Sequence, residues 1–134
     1  MNANNAYSLI LLLLISVLYL FKYLTETSKI ERIFAYGTLN NPTIQLKLYN
    51  RKLYGTPDQL NQYYLSTITQ NENNKLNTYP IAIYSGKPSD VISGMVYEIS
   101  QQELKETDIY EGIEYKRTRV QLQSGLAAWV YILQ

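Results

Sequence analysis

The chain has 134 residues, of which 46% are hydrophobic, and these values indicate one globular domain. The formal net charge is +1 and no block of Lys and Arg residues stands out, so a nucleic-acid-binding surface is not indicated. It contains no Cys and no His. Disulfides, thiolate nucleophiles, imidazole bases and Cys- or His-ligated metals are therefore excluded, and any general base must be Asp, Glu, Lys or Tyr.

An uncharged apolar run, AYSLILLLLISVLYLF, occupies residues 6–21. As a helix rising about 1.5 Å per residue, this run and its extension to Leu24 span roughly 24 to 29 Å, close to the hydrocarbon thickness of about 30 Å. No basic residue precedes the run, whereas Lys22, Lys29 and Arg32 follow it. The positive-inside rule therefore favours an uncleaved membrane anchor with the C-terminal domain in the cytoplasm. A signal peptide, a buried helix and translated upstream sequence outside the fold are the alternatives.

These boundaries divide the chain into three parts. We predict an N-terminal apolar segment over residues 1–24, a polar linker over 25–31 and a domain over 32–134.

The first part of the domain alternates strand and turn signals. RIFAY (32–36) reads as a strand, GTLNNP breaks it, and Asn41 and Pro42 suit the cap and first turn of a helix over 43–50. Residues 50–60 are rich in turn formers, YYLSTI (63–68) reads as a strand, and TQNENNKLN (69–77) reads as a polar surface loop.

The second part supplies more strands and one helix. YPIAIYSG (79–86) and VISGMVYEIS (91–100) are predicted strands, and Gly94 inside the second indicates a bulge or a close backbone approach. Ser100 and Glu103 have the spacing of a capping box for a helix over 101–110, which Gly112 ends. Two final strands are predicted in TRVQL and AAWVYIL.

Many short strands with two short helices indicate an α+β fold with a closed or strongly curved mixed sheet. We predict a mixed, largely closed β-barrel with a few short flanking helices, preceded by the N-terminal apolar helix.

The stretch FAYGTL, residues 34–39, is a strand–loop–helix junction. Gly37 lets backbone N–H groups approach a ligand, and the following helix directs its positive end toward the loop. A carboxylate or a developing oxyanion suits such a place, although a glycine at a strand end is more often simply a turn.

The stretch DIYEGIEYKR contains three acids at the end of the predicted helix. Asp108 lies near the helix C-terminus, where an anion is unfavourable, so it needs a local partner such as Arg117 or backbone N–H groups. Glu111 lies between Tyr110 and Gly112, where the helix breaks, which favours a specifically directed side chain. Glu98 is the competing acid, for which a surface position is the better interpretation, and an isolated glutamate at a helix end is also usually on the surface.

Together, RIFAYGTL, YPIAI, GMVYEIS with its following helix, DIYEGIEYKR and AWVYI resemble the small single-domain branch of the gamma-glutamylcyclotransferase-like family over about residues 32–132. This resemblance implies a mixed β-barrel flanked by helices, a small-molecule gamma-glutamyl substrate, and no metal or cofactor. Typical members begin at the first strand, so localisation does not follow from the resemblance.

The resemblance also implies site residues. The catalytic glutamate of the family's D-x-[YF]-E pattern falls on Glu111. The family's Y-G-[ST]-L loop, which holds the gamma-glutamyl group, falls on Tyr36, Gly37, Thr38 and Leu39. Tyr115 and Arg117 match the tyrosine and arginine that follow the catalytic pattern, and we expect them to support the pocket.

The implied reaction is an intramolecular attack of the gamma-glutamyl α-amine on its own γ-carbonyl, which releases 5-oxoproline and an amine. One carboxylate can remove and return the proton if burial raises its pKa to about 7, so Glu111 is expected to be largely buried and to face the loop. The alternative is a non-catalytic ligand-binding or interaction module on the same barrel. Neither the leaving amine nor the oligomeric state follows from the sequence.

Overall fold

The computed structural model describes residues 3–134. They form three helices and seven strands, which in chain order are α1 (Ala3–Ser28), β1 (Ile30–Ala35), α2 (Pro42–Tyr49), β2 (Gly55–Asn61), β3 (Tyr63–Glu72), β4 (Lys75–Tyr84), β5 (Val91–Ser100), α3 (Gln101–Glu111), β6 (Tyr115–Gln121) and β7 (Ala127–Leu133). A short 3-10 turn, Thr38–Asn40, lies between β1 and α2.

The strands form two separate sheets, and the predicted closed barrel is wrong. Five strands pair in the order β2-β5-β1-β7-β6, and β3 and β4 form a two-stranded sheet of their own. Within residues 3–134, the edge strands β2 and β6 are not paired with each other, so neither sheet is closed by hydrogen bonds. The α+β class and the N-terminal helix are confirmed. A strand count cannot show closure, because closure depends on which edges pair.

Side-chain alternation gives the five-stranded sheet two buried faces. On one face, Phe34, Val96 and Val130 pack with Ala82 of the β3–β4 hairpin. The opposite face packs with the helices, through residues that include Leu104 of α3. Since successive strand residues point to opposite faces, burial on both sides explains the continuous apolar run of β7 and of residues 33–35 in β1.

The local helix signals of the sequence are confirmed. The Asn41 side chain accepts a hydrogen bond from the Thr43 N–H at 2.8 Å, with Pro42 in the first turn of α2. Ser100 and Glu103 form a complete capping box at the start of α3. Gly112 follows the last residue of α3 with a φ of 76°, a conformation that favours glycine.

Gly94 is a site of close backbone approach, as its place in a strand predicts. A Cβ atom there would lie 2.6 Å from the Ala35 carbonyl oxygen and 2.6 Å from a ring carbon of Phe34. The absence of a side chain therefore lets β1 and its phenylalanine pack against β5.

Two segments predicted as turn or loop are strands. The turn-rich stretch contains β2, an edge strand that can include Pro57 because one side of it needs no hydrogen-bond donor. The predicted loop 69–77 is the end of the β3–β4 hairpin, whose turn is formed by Asn73 and Asn74 with φ values of 52° and 62°. Asn at two successive left-handed positions is typical of tight hairpin turns.

Helix α1 extends beyond the predicted apolar segment. Residues 25–28, assigned to a linker, continue the helix, and Lys29 alone separates it from β1. The 22 residues Asn5–Glu26 are long and apolar enough to cross a membrane, and none of this span is buried. Glu26 at its end pairs with Lys105 of α3 at 2.9 Å. Residues 1 and 2 of the predicted segment lie outside the described residues.

Candidate active site

A cavity of about 300 Å³ lies where the loop after β1, the end of α3, the start of β6 and the β3–β4 hairpin meet. Its walls combine backbone groups, tyrosines and two carboxylates. It is lined by Phe34, Ala35, Tyr36, Gly37, Thr38, Leu39, Gln70, Glu72, Tyr79, Pro80, Tyr110, Glu111, Tyr115 and Tyr131.

The loop after β1 is held in place from several sides. Leu39 is buried in the core. The Asn40 side chain donates to the Ala35 carbonyl at 3.1 Å and accepts from the Tyr97 hydroxyl at 3.0 Å. A Cβ atom on Gly37 would lie 3.1 Å from Pro80, so the hairpin packs closely against the glycine. The loop is therefore a fixed wall of the cavity.

Glu111 is the last residue of α3, and it lines the same cavity as the loop. Glu111 is mostly buried, as expected. Burial raises the pKa of this carboxyl to about 7. Within residues 3–134 no hydrogen bond or ion pair to it is found, so nothing in its surroundings offsets the desolvation of its charge.

Tyr36 and Tyr115, beside Glu111, keep their protons near neutral pH. Burial raises the pKa of Tyr36 to about 12, and burial followed by the charge of Glu111 raises the pKa of Tyr115. The Tyr36 hydroxyl donates to the Tyr131 carbonyl at 2.7 Å and accepts from the Ala82 N–H at 3.2 Å. The Thr38 and Tyr110 hydroxyls are 3.0 Å apart. These hydroxyl groups beside the carboxylate are thus polar but uncharged, and the second carboxylate among the described lining residues is Glu72 of the hairpin, which accepts from the Tyr79 hydroxyl at 2.9 Å.

Arg117 is not among the residues that line the cavity. It donates to Asp108 at 2.9 Å, and its guanidinium lies 4.6 Å from the centre of the Trp129 ring. This ion pair confirms the expectation that Asp108 needs a local partner. Arg117 therefore lies behind the cavity wall and contacts α3 rather than the cavity.

The other six predicted site residues, Glu111, Tyr115 and the four of the loop, all line the cavity. The sequence did not indicate the hairpin wall formed by Gln70, Glu72, Tyr79 and Pro80, or the contribution of Tyr131. Gln70 also donates to Glu114 at 2.5 Å, which joins the hairpin to the segment after α3. The Asn-Asn turn is the signal that could have revealed the hairpin.

The other two acids considered in the sequence are on the surface. Glu114 is exposed, and Glu98 pairs with Arg32 at 3.1 Å.

No group of three or more acidic side chains in the described part of the chain is arranged to hold a metal ion. The chemistry that the described residues can supply in the cavity comes from the carboxyl group of raised pKa on Glu111, the carboxylate of Glu72, tyrosine hydroxyls and backbone N–H groups.

Comparison with known proteins identifies similar sequences and folds. Residues 33–134 match the family model described as gamma-glutamyl cyclotransferase, AIG2-like. No curated protein matches the chain.

Several solved structures share the fold. One, named gamma-glutamyl cyclotransferase, is 16% identical, with a TM-score of 0.66 over 79% of this chain and 68% of that one. An AIG2-like protein from Mus musculus is 24% identical, with a TM-score of 0.58 over 78% of this chain and 77% of that one. An Arabidopsis thaliana protein is 22% identical, with a TM-score of 0.63 over 78% of this chain, and the chain spans 62% of its length.

Proposed function

This chain belongs to the gamma-glutamyl cyclotransferase, AIG2-like family, and from that premise we propose that its cavity converts a small gamma-glutamyl amine or peptide to 5-oxoproline and the free amine. The observation that supports this proposal most is the place of Glu111, which lines the same cavity as the Tyr36–Leu39 loop and whose carboxyl group has no hydrogen-bond partner within residues 3–134.

In the proposed mechanism Glu111 acts first as a base and then as an acid. Its carboxylate takes a proton from the substrate's α-ammonium, and the resulting amine attacks the γ-carbonyl carbon. The new carbon–nitrogen bond closes a five-membered ring and gives a tetrahedral intermediate. Glu111 then returns the proton to the leaving nitrogen as the old carbon–nitrogen bond breaks. The ring nitrogen then has one further proton to lose, which the regenerated Glu111 carboxylate takes and passes to the released amine, so that the positive charge of the substrate's ammonium ends on the leaving amine.

The pKa of Glu111 suits both halves of this cycle. At a pKa of about 7 the carboxyl group is about half ionised near neutral pH, so both its forms are populated. An ordinary glutamate, with a pKa of about 4.3, would be a weak base and almost wholly deprotonated. Desolvation at the cavity wall supplies the difference.

The Tyr36–Leu39 loop supplies the hydrogen-bond donors that the reaction needs in addition to the carboxylate. The first N–H groups of the Thr38–Asn40 turn have no partner within that turn, because a helix leaves its first donors unpaired. We assign to them the stabilisation of the negative oxygen of the tetrahedral intermediate. Removal of one such donor commonly costs about 3 to 4 kcal/mol of transition-state stabilisation.

The size of the cavity supports a small substrate head group. At about 300 Å³ it lies at the lower end of ligand pockets, which span about 300 to 1,000 Å³. A gamma-glutamyl group enclosed there places the leaving amine toward the mouth. Tyr36 and Tyr115 would then contact the enclosed group.

We also propose that α1 anchors the domain over residues 32–134 to a membrane, with that domain on the cytoplasmic side. A span of 22 residues corresponds to about 33 Å of helix, and none of the span is buried in the protein. The uncharged, mainly apolar surface of residues 6–21 suits a lipid environment. Lys22, Lys29 and Arg32 after the run support the orientation.

The deciding experiment measures 5-oxoproline release from a panel of gamma-glutamyl amines and peptides by the full-length chain in mild detergent. We expect turnover by the wild type and loss of at least 100-fold in Glu111→Gln. Glu106→Gln, a change in an exposed acid of the same helix, is the matched control and should retain full activity. Equal rates for wild type and Glu111→Gln would remove Glu111 from the mechanism. Absence of turnover on every substrate would favour the non-catalytic binding module.

A further inference from the structure

We propose that Asp108, Arg117 and Tyr131 form one hydrogen-bonded unit that positions the Glu111 carboxyl group in the cavity. The inference rests on the proposed function, in which Glu111 transfers the proton. It assigns to Arg117 and Asp108 a task that neither performs by contact with substrate.

The unit joins the elements that surround the cavity. Arg117 of β6 donates to one oxygen of Asp108 at 2.9 Å, and the Tyr131 hydroxyl of β7 donates to the other at 2.8 Å. The Tyr131 carbonyl in turn accepts from the Tyr36 hydroxyl, which accepts from the Ala82 N–H of β4. A continuous chain of four hydrogen bonds thus connects α3, β6, β7, the loop and the hairpin.

The position of Asp108 is costly for helix stability. It lies in the last turn of α3, where the partial negative charge of the helix end repels an anion, and that turn contains no basic residue. Its two partners, Arg117 and Tyr131, lie on strands, and each bonds to one of its two carboxylate oxygens. Asp108 therefore stabilises the docking of the helix end onto the sheet at the expense of the isolated helix.

Docking of that turn controls the direction of Glu111. Residues three apart in a helix lie on neighbouring positions of one face, so Glu111 follows any rotation or fraying of the turn that contains Asp108. Gly112 comes next, and its left-handed backbone gives the chain no further helical support. The Asp108 contacts, with the contact of the Tyr110 hydroxyl to Thr38, are thus the last tertiary hydrogen bonds found before the proposed catalytic residue within residues 3–134.

The chain contains its own control for the arginine. Arg117 and Arg119 both lie on β6 with their guanidinium groups 4.6 and 5.0 Å from the Trp129 ring centre. Arg117 contacts Asp108, whereas Arg119 approaches Glu31 at 3.7 Å. The same substitution at the two positions therefore separates the effect of the Asp108 bond from that of stacking on tryptophan.

The test compares Asp108→Asn, Tyr131→Phe, Arg117→Lys and Arg119→Lys in the full-length chain in mild detergent. We measure kcat, KM and the titration of the Glu111 carboxyl by ¹³C NMR, with Glu111→Gln to identify the signal. For Asp108→Asn we expect kcat to fall about 10- to 100-fold with KM within about twofold, since small misplacements of a catalytic group cost about that much. The Glu111 titration should move to lower pH, because a loosened carboxyl gains hydration.

Arg117→Lys and Tyr131→Phe should change kcat and the titration in the same direction, and Arg119→Lys should match the wild type. Tyr131→Phe removes a single hydroxyl and keeps the test valid if Asp108→Asn does not fold. Unchanged kcat and titration in the folded variants would overturn the proposal. So would a loss of stability and kcat with an unmoved Glu111 titration, which indicates a purely structural role. If the wild type turns over no substrate, the proposed function fails, and the titration alone still decides whether the unit positions Glu111.

Discussion

Replacement of Glu111 by glutamine should make the protein more stable at alkaline pH. Burial raises the pKa of the carboxyl from its ordinary value of 4.5 to about 7 in the folded state, and the unfolded chain regains the ordinary value. The folded state therefore holds this proton more tightly. The stability it contributes is fully present below the unfolded pKa and is lost as the pH rises through about 7.

The magnitude follows from the size of the shift. A rise from 4.5 to about 7 corresponds to about 3 kcal/mol, at about 1.36 kcal/mol per unit. Glutamine carries no charge that burial would destabilise. The free energy of unfolding of Glu111→Gln therefore does not fall in this way as the pH rises. We expect wild type and Glu111→Gln to have similar free energies of unfolding near pH 4. At pH 8 the variant should be more stable by about 3 kcal/mol.

Urea unfolding at several pH values measures this difference. Trp129, the single tryptophan, reports the transition by fluorescence, and the full-length protein is kept in mild detergent throughout. Glu106→Gln, in an exposed position of α3, should show no such pH-dependent gain. A stability difference between Glu111→Gln and wild type that stays constant from pH 4 to 8 would show that Glu111 is not desolvated, and the argument for a base of raised pKa would fail.

Three other predictions concern the reaction, the core and the membrane. The value of kcat/KM should rise with pH and level off above about 7, where Glu111 is deprotonated, and a profile flat down to pH 5 would contradict its role as the base. Gly94→Ala should destabilise the fold by about 1 to 3 kcal/mol in urea unfolding, since its Cβ would lie 2.6 Å from both Ala35 and Phe34; unchanged stability would contradict this packing. Leu13→Arg should release the protein from membranes in a flotation assay, since arginine at a span centre costs about 3 kcal/mol; flotation equal to that of wild type would contradict the anchor.

Local features of the fold could be predicted from short stretches of sequence. Asn41 with Pro42, and Ser100 with Glu103, predicted helix starts because a capping side chain bonds to backbone within three residues of itself. Gly112 predicted a helix end for the same local reason. The need of Asp108 for a partner could also be read from its place on a helix, since the repulsion at a helix C-terminus does not depend on the rest of the fold.

The architecture of the sheets depended on distant pairings. Strand β2 includes Pro57 and turn-forming residues, and only its edge position next to β5 makes it a strand. The polar sequence of the β3–β4 hairpin end resembled a loop because its side chains face water, and its own backbone pairing holds it extended. Whether β2 and β6 meet in a barrel depends on the curvature of the whole sheet, to which no short stretch of sequence corresponds.

The candidate site also combines features that the sequence predicted with features that depend on the tertiary structure. Because the sequence contains no His and no Cys, it limited any catalytic acid or base to Asp, Glu, Lys or Tyr. It also singled out Glu111 and the Tyr36–Leu39 loop as candidates. Tertiary structure alone decided that the hairpin forms the opposite wall and that Arg117 lies behind Asp108, outside the cavity. The physical reason is range: residue chemistry and capping act within a few positions of the chain, whereas burial and pocket geometry are set by elements far apart in sequence.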